Sequence, residues 1–83
     1  NPMFGRVTMS FTLSSATDHA DLSVYDAAGR RVNTLLQGPL AAGEHRIEWT
    51  GRDESGQSVK AGIYFLRFKS GLNAATRKVL LIR

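Results

Sequence analysis

Apolar and hydroxyl-bearing residues take turns along Val7-Thr8-Met9-Ser10-Phe11-Thr12-Leu13. A period of two sends alternate side chains to opposite faces of an extended chain, so the segment predicts a strand with one face in a core and the other in water. Asp21-Leu22-Ser23-Val24-Tyr25 repeats the pattern after a polar connection from Ser14 to His19. Arg31-Val32-Asn33-Thr34-Leu35-Leu36 predicts a third strand, which Gln37-Gly38-Pro39 should end. Glu44-His45-Arg46-Ile47-Glu48-Trp49 alternates again, with Ile47 and Trp49 opposite Glu44, Arg46 and Glu48. Ile63-Tyr64-Phe65-Leu66-Arg67-Phe68-Lys69 is apolar on both parities at its start, which predicts a central strand covered on both faces. Gly71 then marks a turn into a closing strand over residues 76–83. Met9, Phe11, Leu22, Val24, Ile47, Trp49 and Phe65 are expected to share the core, with Thr8, Ser10, Glu44, Arg46 and Glu48 in water.

Two connections share one chemistry. Asp26-Ala27-Ala28-Gly29 and Asp53-Glu54-Ser55-Gly56 each set an aspartate three residues before a glycine. The carboxylate accepts local backbone N–H groups, and the glycine takes the positive φ that a side chain resists. Asp26 and Gly29 should make a tight hairpin, while Asp53 and Gly56 sit in the longer connection from Trp49 to Ile63. Six or more short strands at about ten-residue spacing, with glycine-marked turns and no credible helix, predict an all-β, antiparallel sandwich or barrel.

Eighty-three residues allow a single domain spanning 1–83. Val, Ile, Leu and Phe supply 21 of them, above the level of about 20% that marks disorder. The core is nevertheless thin, because a chain this short buries only about 60–65% of its unfolded surface. No cysteine is present, which excludes a disulfide framework, a thiolate metal site and a cysteine nucleophile. No apolar run reaches membrane-spanning length. The chain opens on Asn1-Pro2 and not on methionine, and is expected to be the C-terminal module of a larger, processed protein. The net charge of +4 is uneven, because every one of the six ionised side chains after Glu54 is basic.

Candidate chemistry is sparse. Asp18-His19-Ala20-Asp21 holds acid and base types, but no Gly-x-Ser-x-Gly turn exists to present a serine, and the segment is expected in a surface connection. His45 is expected to be an ordinary strand residue. Two histidines without cysteine match no zinc spacing, and Asp53 to Gln57 lacks the alternating acids of a calcium loop. No metal, cofactor or catalytic activity is therefore expected. Arg67 and Lys69 share a parity with Phe65, an interleaving of bases and aromatics that nucleic-acid binding can use. The core's need for aromatics favours a solvated basic face or a protein contact, and no nucleic acid is expected. Trp49 raises the option of stacking on a sugar ring.

The order of segments carries more information than any one of them. Leu22 to Val32 with its Asp26-Gly29 turn is followed by Leu35-Leu36, Ala42-Gly43-Glu44-His45, Trp49-Thr50-Gly51-Arg52-Asp53, Gly56 to Val59, Ala61-Gly62-Ile63-Tyr64-Phe65, and Thr76-Arg77-Lys78 before the last apolar run. This resembles the Ig-like domain shared by the flagellar hook-capping protein and the C-terminal type A sorting domains of type IX secretion. The resemblance implies a seven-stranded Ig-like β-sandwich, secreted or at the cell surface. It also implies a secretion-sorting or surface-attachment signal read by export or attachment machinery. The alternatives are a sugar-binding accessory module of a secreted hydrolase and a subunit-contact domain of a hook-cap type assembly. Its upstream parent domain is a further expected neighbour. The residues that would carry a sorting signal are Gly62 and Tyr64, of the family's glycine-x-tyrosine step, with Arg77, Lys78 and Arg83 at the basic end. The chain departs from the family pattern at Phe4, where proline is frequent, and at Thr50, where aspartate often follows the tryptophan.

Overall fold

The computed structural model describes residues 2, 3, 5–71 and 73–83. Its strands are β1 (Pro2–Met3), β2 (Val7–Leu13), β3 (Thr17–Asp26), β4 (Arg31–Leu40), β5 (Gly43–Trp49), β6 (Gly62–Ser70) and β7 (Asn73–Leu81). Six are full strands and β1 is a two-residue addition, paired parallel to Leu80 and Leu81. Two sheets result: a five-stranded one in the order β1-β7-β6-β3-β4, and the pair β2-β5. The chain is an all-β, Ig-like sandwich. Phe4, read above as a departure from the family pattern, lies outside the described residues.

The β2-β5 sheet follows its alternation. Met9 and Trp49 are buried, Val7, Phe11, Leu13 and Ile47 pack against the core, and Thr8, Ser10, Thr12, Glu44, Arg46 and Glu48 are exposed. Across the sandwich, two aromatic pairs tie this sheet to β6: Phe11 to Phe68 at 4.6 Å between ring centroids, and Trp49 to Tyr64 at 5.2 Å. Such tilted pairs add about 0.5–1.5 kcal/mol each beyond the area they bury.

Strand β6 corrects the core drawn from the sequence. It is central, but nothing among the described residues covers its outer face. Its inward residues are Tyr64, Leu66 and Phe68, all buried, whereas Ile63, Arg67 and Lys69 are exposed and Phe65 is half-buried. Phe65 is therefore not a core residue, because a strand covered on one side obeys period two whatever its apolar content.

Strand β4 corrects two further expectations. It continues through Gly38 and Pro39, which its place at the sheet's edge permits, since an edge position needs no donor from proline. Its pairing with β3 jumps from Leu36 to Thr34 and from Asn33 to Arg31, leaving Leu35 and Val32 as extra residues. These bulges let Val32, Leu35 and Leu36 all reach the core although strict alternation forbids it. The connection expected from Ser14 to His19 is likewise shorter, because Thr17 already pairs with Leu40 and the Asp18–Asp21 segment lies on β3.

Candidate functional site

The Asp26 carboxylate accepts from the Ala28 and Arg30 amides through Oδ1, at 3.0 and 2.9 Å, and from Arg30 Nε through Oδ2 at 3.0 Å. Gly29 closes the turn by donating to the Asp26 carbonyl, with φ +85. Asp53 does the same work with its Oδ1: the Ser55 and Gln57 amides donate at 3.0 Å and the Ser55 hydroxyl at 2.7 Å. Gly56 mirrors Gly29. These bonds favour the charged form and hold both carboxyls below the usual range, through the Arg30 amide at Asp26 and the Ser55 hydroxyl at Asp53.

The second turn is stitched to the bulge. Glu54 N donates to the carbonyl of Val32, and Asn33 Nδ2 to the carbonyls of Arg52 and Asp53. A bulged residue leaves its backbone unpaired in the ladder, and the loop takes that vacancy.

The five residues assigned to a sorting signal do not converge on one patch. Tyr64 is buried, and its hydroxyl donates to the carbonyl of Lys60 at 2.7 Å. That bond, from a tyrosine at the start of a strand back to a carbonyl four residues upstream, is the tyrosine corner of Ig-like sandwiches. Burial, reinforced by the charge of Asp26, pushes the phenol's pKa up. Gly62 precedes it with φ +153 and open space at its missing Cβ. Arg77 shares the inward parity of Val79 and Leu81, and Nη1 reaches the opposite sheet to donate to Thr8 at 3.1 Å. Arg83 clasps the β5–β6 connection, with Nε on the Val59 carbonyl at 2.6 Å and Nη2 on that of Gly51 at 2.8 Å. Gly51 has φ +74, and a Cβ there would lie 2.9 Å from the guanidinium, so close approach and backbone both require glycine. Of the three basic residues, only Lys78 faces solvent without such a bond.

The remaining candidates are also used by the fold. Trp49 is 1% exposed, and Nε1 donates to the Arg52 carbonyl at 2.9 Å, so no ring face is open to a sugar. His45 Nε2 is bonded to the Ala41 carbonyl at 2.7 Å, and its ring lies 5.5 Å from Phe11. Among the described residues no group of three or more His, Asp or Glu gathers to hold a metal ion, and no helix is long and apolar enough to cross a membrane.

What the sequence did not single out is the outer face of the five-stranded sheet. Register partners share a face, so Lys78, Phe65, Tyr25 and Arg31 form one row across β7, β6, β3 and β4. The next row holds Thr76, Arg67 and Ser23, and the third Ala74, Lys69, Asp21 and Gln37. Two depressions of about 430 and 400 Å³ flank Tyr25 on this face. The interleaving of Phe65 with Arg67 and Lys69 was its one visible signal, and only the register adds Tyr25, Arg31 and Lys78.

Known proteins bear on the same architecture. No curated protein sequence matches the chain. The crystal structure of FlgD from P. aeruginosa superposes with a TM-score of 0.67 at 27% identity, over 88% of this chain and 55% of that one, so the chain spans about half the length of that protein. The family model described as the FlgD Ig-like domain matches residues 3–72, from β1 through the turn after β6. The chain belongs to the FlgD Ig-like domain family.

Proposed function

We propose that the chain is a non-catalytic subunit-contact module of a larger, hook-cap type assembly protein. The family match over residues 3–72 carries this reading. The side chains support it: Asp26, Asp53, Tyr64, Arg77, Arg83 and His45 spend their polar groups on the chain's own backbone, which builds a rigid body and leaves few groups for chemistry. The module takes part through its surface, and the proposal includes the extracellular or cell-surface setting that the resemblance implies. The sorting-signal reading has no support from the comparisons, and two of its three cations are occupied within the fold.

Deleting residues 1–83 from the protein that carries them tests the proposal. The expected result is a stable remainder that no longer joins its assembly, seen as a loss of the large species in sedimentation velocity and in electron micrographs. An assembly that forms normally without the domain contradicts the contact role.

A further inference from the structure

We infer that the outer face of the five-stranded sheet meets an acidic protein segment in extended conformation, an inference that rests on the subunit-contact reading and names the partner's chemistry. The basic excess of the C-terminal third resolves on this face. Arg77 and Arg83 are bonded to backbone carbonyls and Lys60 lies in the β5–β6 connection, whereas Arg67, Lys69 and Lys78 project outward together, and β4 adds Arg31.

The acidic groups near them are already committed: Asp26, which lines a depression with Arg67, pairs with Arg30, and Glu54, near Arg31, accepts from the Thr34 hydroxyl. Asp21 accepts from the Ser23 hydroxyl at 2.7 Å and lies 3.9 Å from Arg31. Among the described residues the ion pairs are Arg6–Glu48, Arg30–Asp26 and Arg31–Asp21, which leaves Arg67, Lys69 and Lys78 without a carboxylate. The opposite face, on β2 and β5, differs: Glu44 and Glu48 are matched there by Arg46 and by Arg6, which pairs with Glu48. The basic excess therefore lies on one of the two faces of the sandwich, and an acidic partner has one side to approach.

Geometry narrows the partner further. Arg67 and Lys69 are two residues apart on one strand, about 6.8 Å, the same repeat as alternate carboxylates along an extended partner. Lys78 lies a row away, beside Phe65. Phe65 and Tyr25 are half-buried, and Ile63 and Leu80 are 38% and 44% exposed at the end of the same face, giving apolar anchors between the charges. Nucleic acid fits less well. The Arg31 guanidinium lies over the Tyr25 ring at 5.9 Å, occupying the face on which a base would stack.

The test is a titration of the ¹⁵N-labelled chain at low salt with a decapeptide of alternating Glu and Thr. A Lys-Thr decapeptide and a ten-nucleotide oligo-dT serve as comparisons. The expected result is saturable amide shifts at Arg67, Lys69, Thr76 and Lys78 with none along Glu44 to Glu48, fading as salt rises. The variant R67Q/K69Q/K78Q should melt like the parent and bind about tenfold more weakly or worse. Shifts that map elsewhere, undiminished binding by the variant, or tighter binding of oligo-dT on this face would each overturn the inference. A chain that fails here, in a protein whose assembly still needs the domain, removes this face and leaves the contact role standing.

Discussion

Removing the Tyr64 hydroxyl separates the tyrosine corner from the packing of the ring that carries it. In Tyr64→Phe the ring keeps its tilted contact with Trp49, and only the 2.7 Å bond to the Lys60 carbonyl is lost. Lys60 is exposed, so its carbonyl regains water, and the cost should be that of one ordinary hydrogen bond, about 1 kcal/mol. Tyr64→Ala also removes a ring that is 5% exposed and should cost about 3–5 kcal/mol. Urea unfolding followed by the fluorescence of the single tryptophan, Trp49, reads both values. Alkaline pH supplies an independent check. The folded-state pKa is raised, so the unfolded chain gives up the phenol proton first, and the contribution is intact below about pH 10 and lost as pH rises through the higher folded value. Tyr64→Phe should flatten that alkaline loss. If the phenylalanine variant were as unstable as the alanine one, the bond and the packing would not separate in this way, and if it lost stability above pH 10 as steeply as the parent, the Tyr64 phenol would not be the source of that loss.

Phe11→Ala should cost about 3 kcal/mol, because Phe11 spans the sheets to Phe68, while Phe65→Ala on the outer face should cost less than half of that; paired chemical denaturation curves compare them. Gly51→Ala should lower the melting temperature through both its φ of +74 and the displaced Arg83 guanidinium, and Arg83→Gln should lower it by a separate amount that does not add to the first in a double-mutant cycle. The depressed carboxyls of Asp26 and Asp53 stabilise the fold at pH values above the ordinary carboxylate range. Their contribution should vanish as pH falls through their lower folded values, and Asp53→Asn should make acid unfolding, followed by circular dichroism, less steep.

How much of this was legible depended on distance along the chain. The Asp26 and Asp53 turns involve partners two to four residues away, so the residue types sufficed to read them. The faces of β2 and β5 were equally plain, since water on one side enforces alternation. Phe65 was misassigned because β6 is apolar on both parities, and composition cannot say which face is bare. Pro39 looked like a terminator until β4 proved to be an edge. The guanidinium clasps were invisible, because Arg77 bonds a carbonyl 69 residues away and Arg83 carbonyls 24 and 32 residues away. The row of Lys78, Phe65, Tyr25 and Arg31 was hidden for the same reason: four strands from both halves of the chain must be in register before it exists.

The contact role itself is tested most directly by placing a photo-reactive amino acid at single exposed positions of the full protein in the cells that make it. Thr76 and Lys78 report on the outer face of the five-stranded sheet, and Ser10 and Glu48 on the opposite face. The account predicts that light captures another subunit of the same assembly, identified by mass spectrometry, from Thr76 and Lys78 and not from Ser10 or Glu48. Correctly folded, assembled protein that yields no such adduct from either face would contradict it.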